Sequence, residues 1–221
     1  MYLPLKSNIP WIGKRRWLTC YFVHIPKCGG SFVERVLSPY ILDCPILTLD
    51  DARGHLTWLE YKRIFLLHGL DIMNGETFSV VRNPWDWHVS WFHYIKQDLG
   101  GKKSGHHVEH ELFQNFSFID YIHWLDDSST QRGAQGYIIK QMSDWLIDKS
   151  ERLVVDNVFR QENLKNDLLA FVMQKHLAVK INTATVNSSK RKCYQNYFNT
   201  ECRQIVARRH SRDIALFGYV Y

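Results

Sequence analysis

Six residues in two stretches carry the densest chemical signal of the 221-residue chain: Lys27, Gly29, Gly30 and Ser31, then Arg82 and Ser90. The first stretch, Tyr21 to Phe32, reads YFVHIPKCGGSF. The apolar, β-branched run Leu18 to Ile25 predicts a buried parallel strand, Pro26 and the glycine pair break it, and Ser31 to Leu37 has helical spacing. Strand, glycine turn and helix start together make an anion site. The free amides of the first helical turn and the positive end of its dipole face whatever sits in the loop. Gly29 and Gly30 allow close backbone approach, Ser31 supplies a hydroxyl and an N-cap, and Lys27 a mobile positive charge.

Residue order argues against two well-known versions of this device. A Walker A loop has its lysine after the glycines; here Lys27 comes first, which disfavours a P-loop kinase or NTPase. A tyrosine-phosphatase cradle spaces its cysteine and arginine by five residues, whereas six separate Cys28 from Arg35 and no histidine adjoins Cys28. The run His106-His107-Val108-Glu109-His110 formally matches H-x-x-E-H, but it lies beside glycines and lysines and not on an apolar-faced helix. It reads as a solvated loop, and no metal site is assigned.

Several elements must position these residues. Thr77 to Val81 predicts a second buried strand, followed at once by Arg82-Asn83-Pro84 and a helix marked by Trp85, Val89, Trp91, Phe92 and Ile95. Arg82 thus leaves a strand end as Lys27 does, and ligands collect at such ends in open parallel sheets. Ile46 to Leu49 and Leu153 to Phe159 predict further strands. Thr57 is expected to cap a helix to Leu67, Ser117 to Leu125 to be helical, Asn163 to cap a helix to Leu177, and Tyr197 to Phe217 to close the fold with helix. Residues 1–16 read as a lead-in to one domain spanning 1–221.

Composition narrows the class. Hydrophobic content of 45% and charged content of 23% suit a soluble globular α/β protein. A net charge of +6 favours anionic partners, yet no nucleic-acid recognition motif occurs. Five cysteines, an odd number without a C-x-x-C pair, predict free thiols in a reducing compartment. No run approaches the ~20 apolar residues of a membrane span, and the first residues lack a signal-peptide core, so a cytoplasmic protein is expected.

His24-Ile25-Pro26-Lys27-Cys28-Gly29-Gly30-Ser31-Phe32 resembles the phosphosulfate-binding loop of the carbohydrate-type (heparan/chondroitin-like) sulfotransferases, usually close to H-I-P-K-T-G-G-T. Phe78 to Asp86 with Val89-Ser90 is similar to that family's second signature, F-x-F-V-R-N-P-[WY]-D-R-x-x-S. Phe159 to Leu164 with Asp167 resembles its R-x-E-N-L-x-x-D stretch. Asn187 to Arg191, with Tyr194 and Tyr197, resembles its late basic loop, and Asp213 to Tyr219 its ending. The likeness runs from about Tyr21 to Tyr219. Two departures stand out: Cys28 replaces a hydroxyl residue, and Trp87-His88 occupies positions where other residues are frequent.

The resemblance implies a three-layer α/β/α fold with a central parallel sheet, P-loop NTPase-like in outline, and transfer of a sulfuryl group from PAPS (3′-phosphoadenosine 5′-phosphosulfate) to a carbohydrate hydroxyl, leaving PAP. Such a transfer is governed by positioning and electrostatics. Lys27 would neutralise the leaving oxygen, and the loop Cys28, Gly29, Gly30, Ser31 and Phe32 would hold the 5′-phosphate. Arg82 and Ser90, about two helical turns apart, would grip the 3′-phosphate, and Ser188, Ser189, Lys190 and Arg191 would close over the nucleotide. No metal is needed. Gly54-His55-x-Thr-Trp resembles the segment bearing the catalytic histidine of the heparan-type enzymes, so His55 is the expected base, ahead of His24, His68 and His93. Trp85, Trp87, Trp91 and the loop Leu99 to His110 are candidates to line the acceptor site. A PAPS- or PAP-binding module without catalysis is the alternative reading.

Overall fold

The computed structural model describes residues 20–37, 41–42, 55–67, 76–96, 113–127, 137–177 and 191–221. Within these the chain has a mixed α/β fold. Strands β1 (Cys20–Val23), β2 (Ile41–Leu42), β3 (Glu76–Val81) and β4 (Asn157–Arg160) form a small, wholly parallel sheet in the order β2-β1-β3-β4. Its helices are α1 (Gly30–Leu37), α2 (Trp58–Leu67), α3 (Pro84–Lys96), α4 (Phe118–Asp126), α5 (Leu164–Gln174), α6 (Thr200–Arg209) and α7 (Ser211–Phe217). The contacts gather into two compact units interleaved along the chain, Met1–Val81 with Met142–Val186, and Arg82–Gln141 with Asn187–Tyr221.

The first unit is built on the sheet. Thr77 through Val81 of β3 are buried, as a parallel strand covered on both faces requires. Its polar side chains are satisfied: Ser79 Oγ donates to the Val23 carbonyl at 2.7 Å, and Thr77 donates its amide and hydroxyl to Asp156 Oδ2 at 2.7 and 2.8 Å. Phe78 stacks on Phe22 and meets Phe159 and Phe171, so three strands and α5 share one aromatic core. Beside it, burial and the neighbouring Glu76 carboxylate push the Cys20 thiol up to about 12, which makes it inert.

The second unit is helical. Ser117 caps α4 in a full capping box with Asp120, as its sequence predicts. The helix expected from Tyr197 to Phe217 is found as α6 and α7, parted at His210, whose backbone leaves the helical region (φ −108°, ψ 28°). Its side chain explains the break. Four fully buried groups form one hydrogen-bonded chain: Tyr121 Oη to His88 Nδ1 (2.9 Å), His88 Nε2 to His210 Nε2 (2.8 Å), and His210 Nδ1 to Asp213 (2.8 Å). With both imidazoles neutral, one ordering satisfies every bond: Tyr121 donates to His88, His88 to His210, and His210 to Asp213. Burial holds the His88 pKa well below its ordinary value, and the positive charge of Arg209 adds to the effect.

Other expectations change with the packing. Leu153 to Val155 is not strand: Asp148 accepts the Ser150 and Arg152 amides and turns the chain, and Leu153 makes a lone antiparallel bridge to Ile147. Asn163 stands at the start of α5 without capping it, because its side chain is engaged by Asp167 and Asn166. Thr57 does cap α2, in reciprocal bonds with Glu60. The strand expected at Ile46 to Leu49, the lead-in 1–16, His68 and the loop Leu99 to His110 lie outside the described residues. Among the described residues no helix is long and apolar enough to cross a membrane, and no cluster of three or more His, Cys, Asp or Glu could hold a metal ion.

Candidate functional site

In the first unit the site is the corner after β1. β1 is an inner strand with β2 on one side and β3 on the other, so chain order reverses between β1 and β3, where open α/β sheets bind ligands. Lys27 (φ 65°) and Gly29 (φ 91°) are both left-handed, whereas Cys28 between them and Gly30 after them are not. Alternating handedness makes successive amides converge into an anion-binding concavity. A lysine held there costs roughly 1–2 kcal/mol, the kind of strain that persists at functional positions. The loop meets α1 at once, and by helix geometry the Gly30 and Ser31 amides precede the first intrahelical bond.

The glycines are required by contact as well as by φ. A Cβ on Gly29 would lie 2.8 Å from Leu164 Cδ2, and one on Gly30 only 1.8 Å from His24 Nε2. The Leu164 contact also gives the Arg160–Asp167 block a role in this unit. Asp167 accepts the Arg160 amide and the Asn163 side-chain amide, and so ties down the turn that packs on Gly29.

One expectation for the loop is corrected. Ser31 lies inside α1 and is not its N-cap. The Phe32 amide donates to the Gly29 carbonyl at 2.9 Å and so is already used within the turn. Cys28 is buried, its Sγ 3.8 Å from Met142 Sδ, so its side chain faces the core and its backbone alone can serve a ligand.

His55 is brought to this corner. Its ring stands edge-on to that of His24, centroids 4.3 Å apart, and its Nδ1 donates to the His24 carbonyl at 3.0 Å. Because a carbonyl only accepts, the proton is on Nδ1, and neutral His55 keeps a lone pair on Nε2. Burial lowers its pKa to about 4, helped by the charges of His24 and Lys27 and opposed by the carbonyl bond and Glu34. The Trp145 indole donates to the His55 backbone carbonyl at 3.0 Å. His24 stacks on Phe22, lies against Gly30 and stands 3.3 Å from Glu34 Oε1. It is a packing residue beneath the loop.

In the second unit Arg82 precedes α3 and is buried. Its Nε and Nη2 meet Asp86 Oδ2 at 2.7 and 2.6 Å, and Arg191 Nη2 takes Asp86 Oδ1 at 2.6 Å. One carboxylate therefore aligns two guanidinium groups, and Ser90 lies a further turn along α3. Arg191 Nη1 is buried without a hydrogen-bond partner among the described residues, a donor left for a ligand. His93 donates to or accepts from Tyr197 Oη at 2.8 Å; burial lowers its pKa, and Arg191 and Lys96 add to that. Asn83 caps α3 through the Trp85 amide and donates to the Val220 carbonyl at 2.9 Å, which fixes the backbone beside Arg82.

Ser188, Ser189 and Lys190 lie outside the described residues. Trp85, Trp87 and Trp91 are buried in the second unit's core, as is His88, which removes them as acceptor-lining candidates. α3 is apolar around most of its circumference, so its tryptophans have no solvent face to occupy. Sequence reasoning missed Glu34, Trp145 and the Asp86 bridge; of these, the i, i+4 spacing of Arg82 and Asp86 was a readable sign. The chain matches no protein-family model, and no curated protein matches it.

Proposed function

We propose that the protein is a sulfotransferase that moves the SO3 group of PAPS to a carbohydrate hydroxyl, on a three-layer, P-loop-like α/β/α fold. The observation that carries this reading is the corner after β1, where a left-handed lysine and a left-handed glycine run into a helix start beside a neutral histidine whose proton sits on Nδ1. The acceptor oxygen forms a bond to sulfur, the bond from sulfur to the bridging phosphate oxygen breaks, and the acceptor proton passes to His55 Nε2. Lys27 offsets charge on the departing PAP, and the loop amides hold its 5′-phosphate. A pKa of about 4 leaves His55 unprotonated at neutral pH, and a bound polyanion raises its basicity.

In the second unit the reading assigns the 3′-phosphate to Arg82, Ser90 and Arg191. The unpartnered Arg191 Nη1 supports an anion there. Cys20, Cys28, Cys193 and Cys202 are free thiols, which suits a reducing, cytoplasmic setting.

The test is titration calorimetry with PAP, followed by incubation of labelled PAPS with a panel of glycans, lipids and phenols. Lys27→Ala and His55→Ala should keep the fold and lose transfer, the second by about 10²–10⁴-fold. Absence of any heat from PAP defeats the reading. Binding without labelled product across the panel would establish the catalytically inert nucleotide-binding module instead.

A further inference from the structure

We propose that Trp145 is the positioning residue for His55, and that the tight turn Met142–Trp145 is a bracket holding the Lys27 loop and the His55 segment in one frame. The proposal rests on the sulfotransferase reading for what His55 does, and on the first unit alone for how it is held. Both ends of this four-residue 3-10 turn reach the candidate site. Met142 touches Cys28, the residue between the two left-handed loop positions, and the Trp145 indole donates to the His55 carbonyl. Met142, Ser143 and Trp145 are all fully buried, so the turn is a packed element and not a surface connection.

The bracket is anchored to the sheet. The Leu146 amide closes the turn on Ser143, and the Val154 amide returns to the Leu146 carbonyl. Asp148 gathers the Ser150 and Arg152 amides, and Asp156 then binds Thr77 at the start of β3 through both backbone and side chain. An unbroken run of hydrogen-bonded turns thus connects Trp145 to the sheet.

The His55 ring bonds to the end of β1 through Nδ1, while its backbone bonds to the bracket. Two anchors at opposite ends of a residue fix the direction of its Nε2 lone pair, which a single ring bond would leave free to swing. Misplacement by about 1 Å can cost a reaction 10²-fold.

The test is the variant Trp145→Phe, which keeps an aromatic ring and removes the indole N–H. Long-range 1H–15N spectra of the full chain should show His55 as the Nδ1–H tautomer in the native protein and as a tautomer mixture in the variant. With an acceptor from the panel that turns over, kcat should fall 10- to 100-fold with the KM for PAPS unchanged within twofold. A tautomer signal identical in the two proteins overturns the proposal. Should the variant fail to fold, hydrogen exchange of the Trp145 indole N–H in the native protein decides: protection equal to that of β3 amides supports the bond, and exchange as fast as an exposed indole overturns it. If the tautomer shifts as expected but the native protein transfers no sulfuryl group, the positioning role stands and the sulfotransferase reading alone fails.

Discussion

Gly30→Ala sets two physical effects against each other. Gly30 begins α1 with a negative φ, so alanine is allowed by the backbone, and helix propensity alone favours it by up to ~1 kcal/mol. The new methyl, however, would sit 1.8, 2.3 and 2.4 Å from three atoms of the His24 ring. The imidazole has little room to retreat. It stacks on Phe22 with centroids 5.1 Å apart, faces the His55 ring and pairs with Glu34. Overpacking typically costs about 1–3 kcal/mol, and loss of an aromatic pair about 0.5–1.5 kcal/mol. Set against the propensity gain, a net destabilisation of about 2–3 kcal/mol is expected. Urea denaturation at 25 °C should show a lower midpoint with an unchanged m-value. In a His24→Ala background the same substitution should be neutral or stabilising, because the ring it strikes is gone. The resulting coupling energy should be about 2–4 kcal/mol. A Gly30→Ala protein as stable as the native one, or equal costs in both backgrounds, refutes the packing argument.

Two further outcomes are expected. His55 has a folded pKa of about 4, below its unfolded value of about 6.5. The unfolded chain therefore takes up its proton first, and the stability tied to neutral His55 is present above pH ~6.5 and lost progressively as pH falls toward 4. The full loss is about 3 kcal/mol, and urea midpoints against pH should flatten in His55→Leu. Tyr121→Phe leaves buried His88 Nδ1 without its donor, at a cost of about 1–3 kcal/mol, read as a lower thermal midpoint.

How much of this was legible in the sequence depended on whether local or distant neighbours decide the outcome. β1, α1, β3 and the start of α3 are written in apolar runs punctuated by Pro and Gly, and Ser117 and Thr57 announce their helices three residues ahead of an acidic partner. The glycine turn in the loop was legible. Left-handed Lys27 was not, since nothing in its neighbours' types demands it. Asn163 looked like a cap, but Asp167 and Asn166 compete for its side chain. The break at His210 comes from His88 and Tyr121, more than 80 residues away, and no periodicity within residues 197–217 reports them. His55 was found by pattern, whereas Trp145, 90 residues on, is a bond between distant segments that spacing cannot reveal.

The interleaving of the two units has a consequence for synthesis. The backbone passes from one to the other at 81/82, 141/142 and 186/187. As the polypeptide emerges from the ribosome, β1 and β3 are made long before β4, the strand that completes their sheet. Meanwhile α3 and α4 wait still longer for His210, which joins their buried hydrogen-bonded chain. The first unit is thus complete in sequence once residue 186 is made, the second only at the end of the chain, and no cut in the gene releases either one as a contiguous fragment.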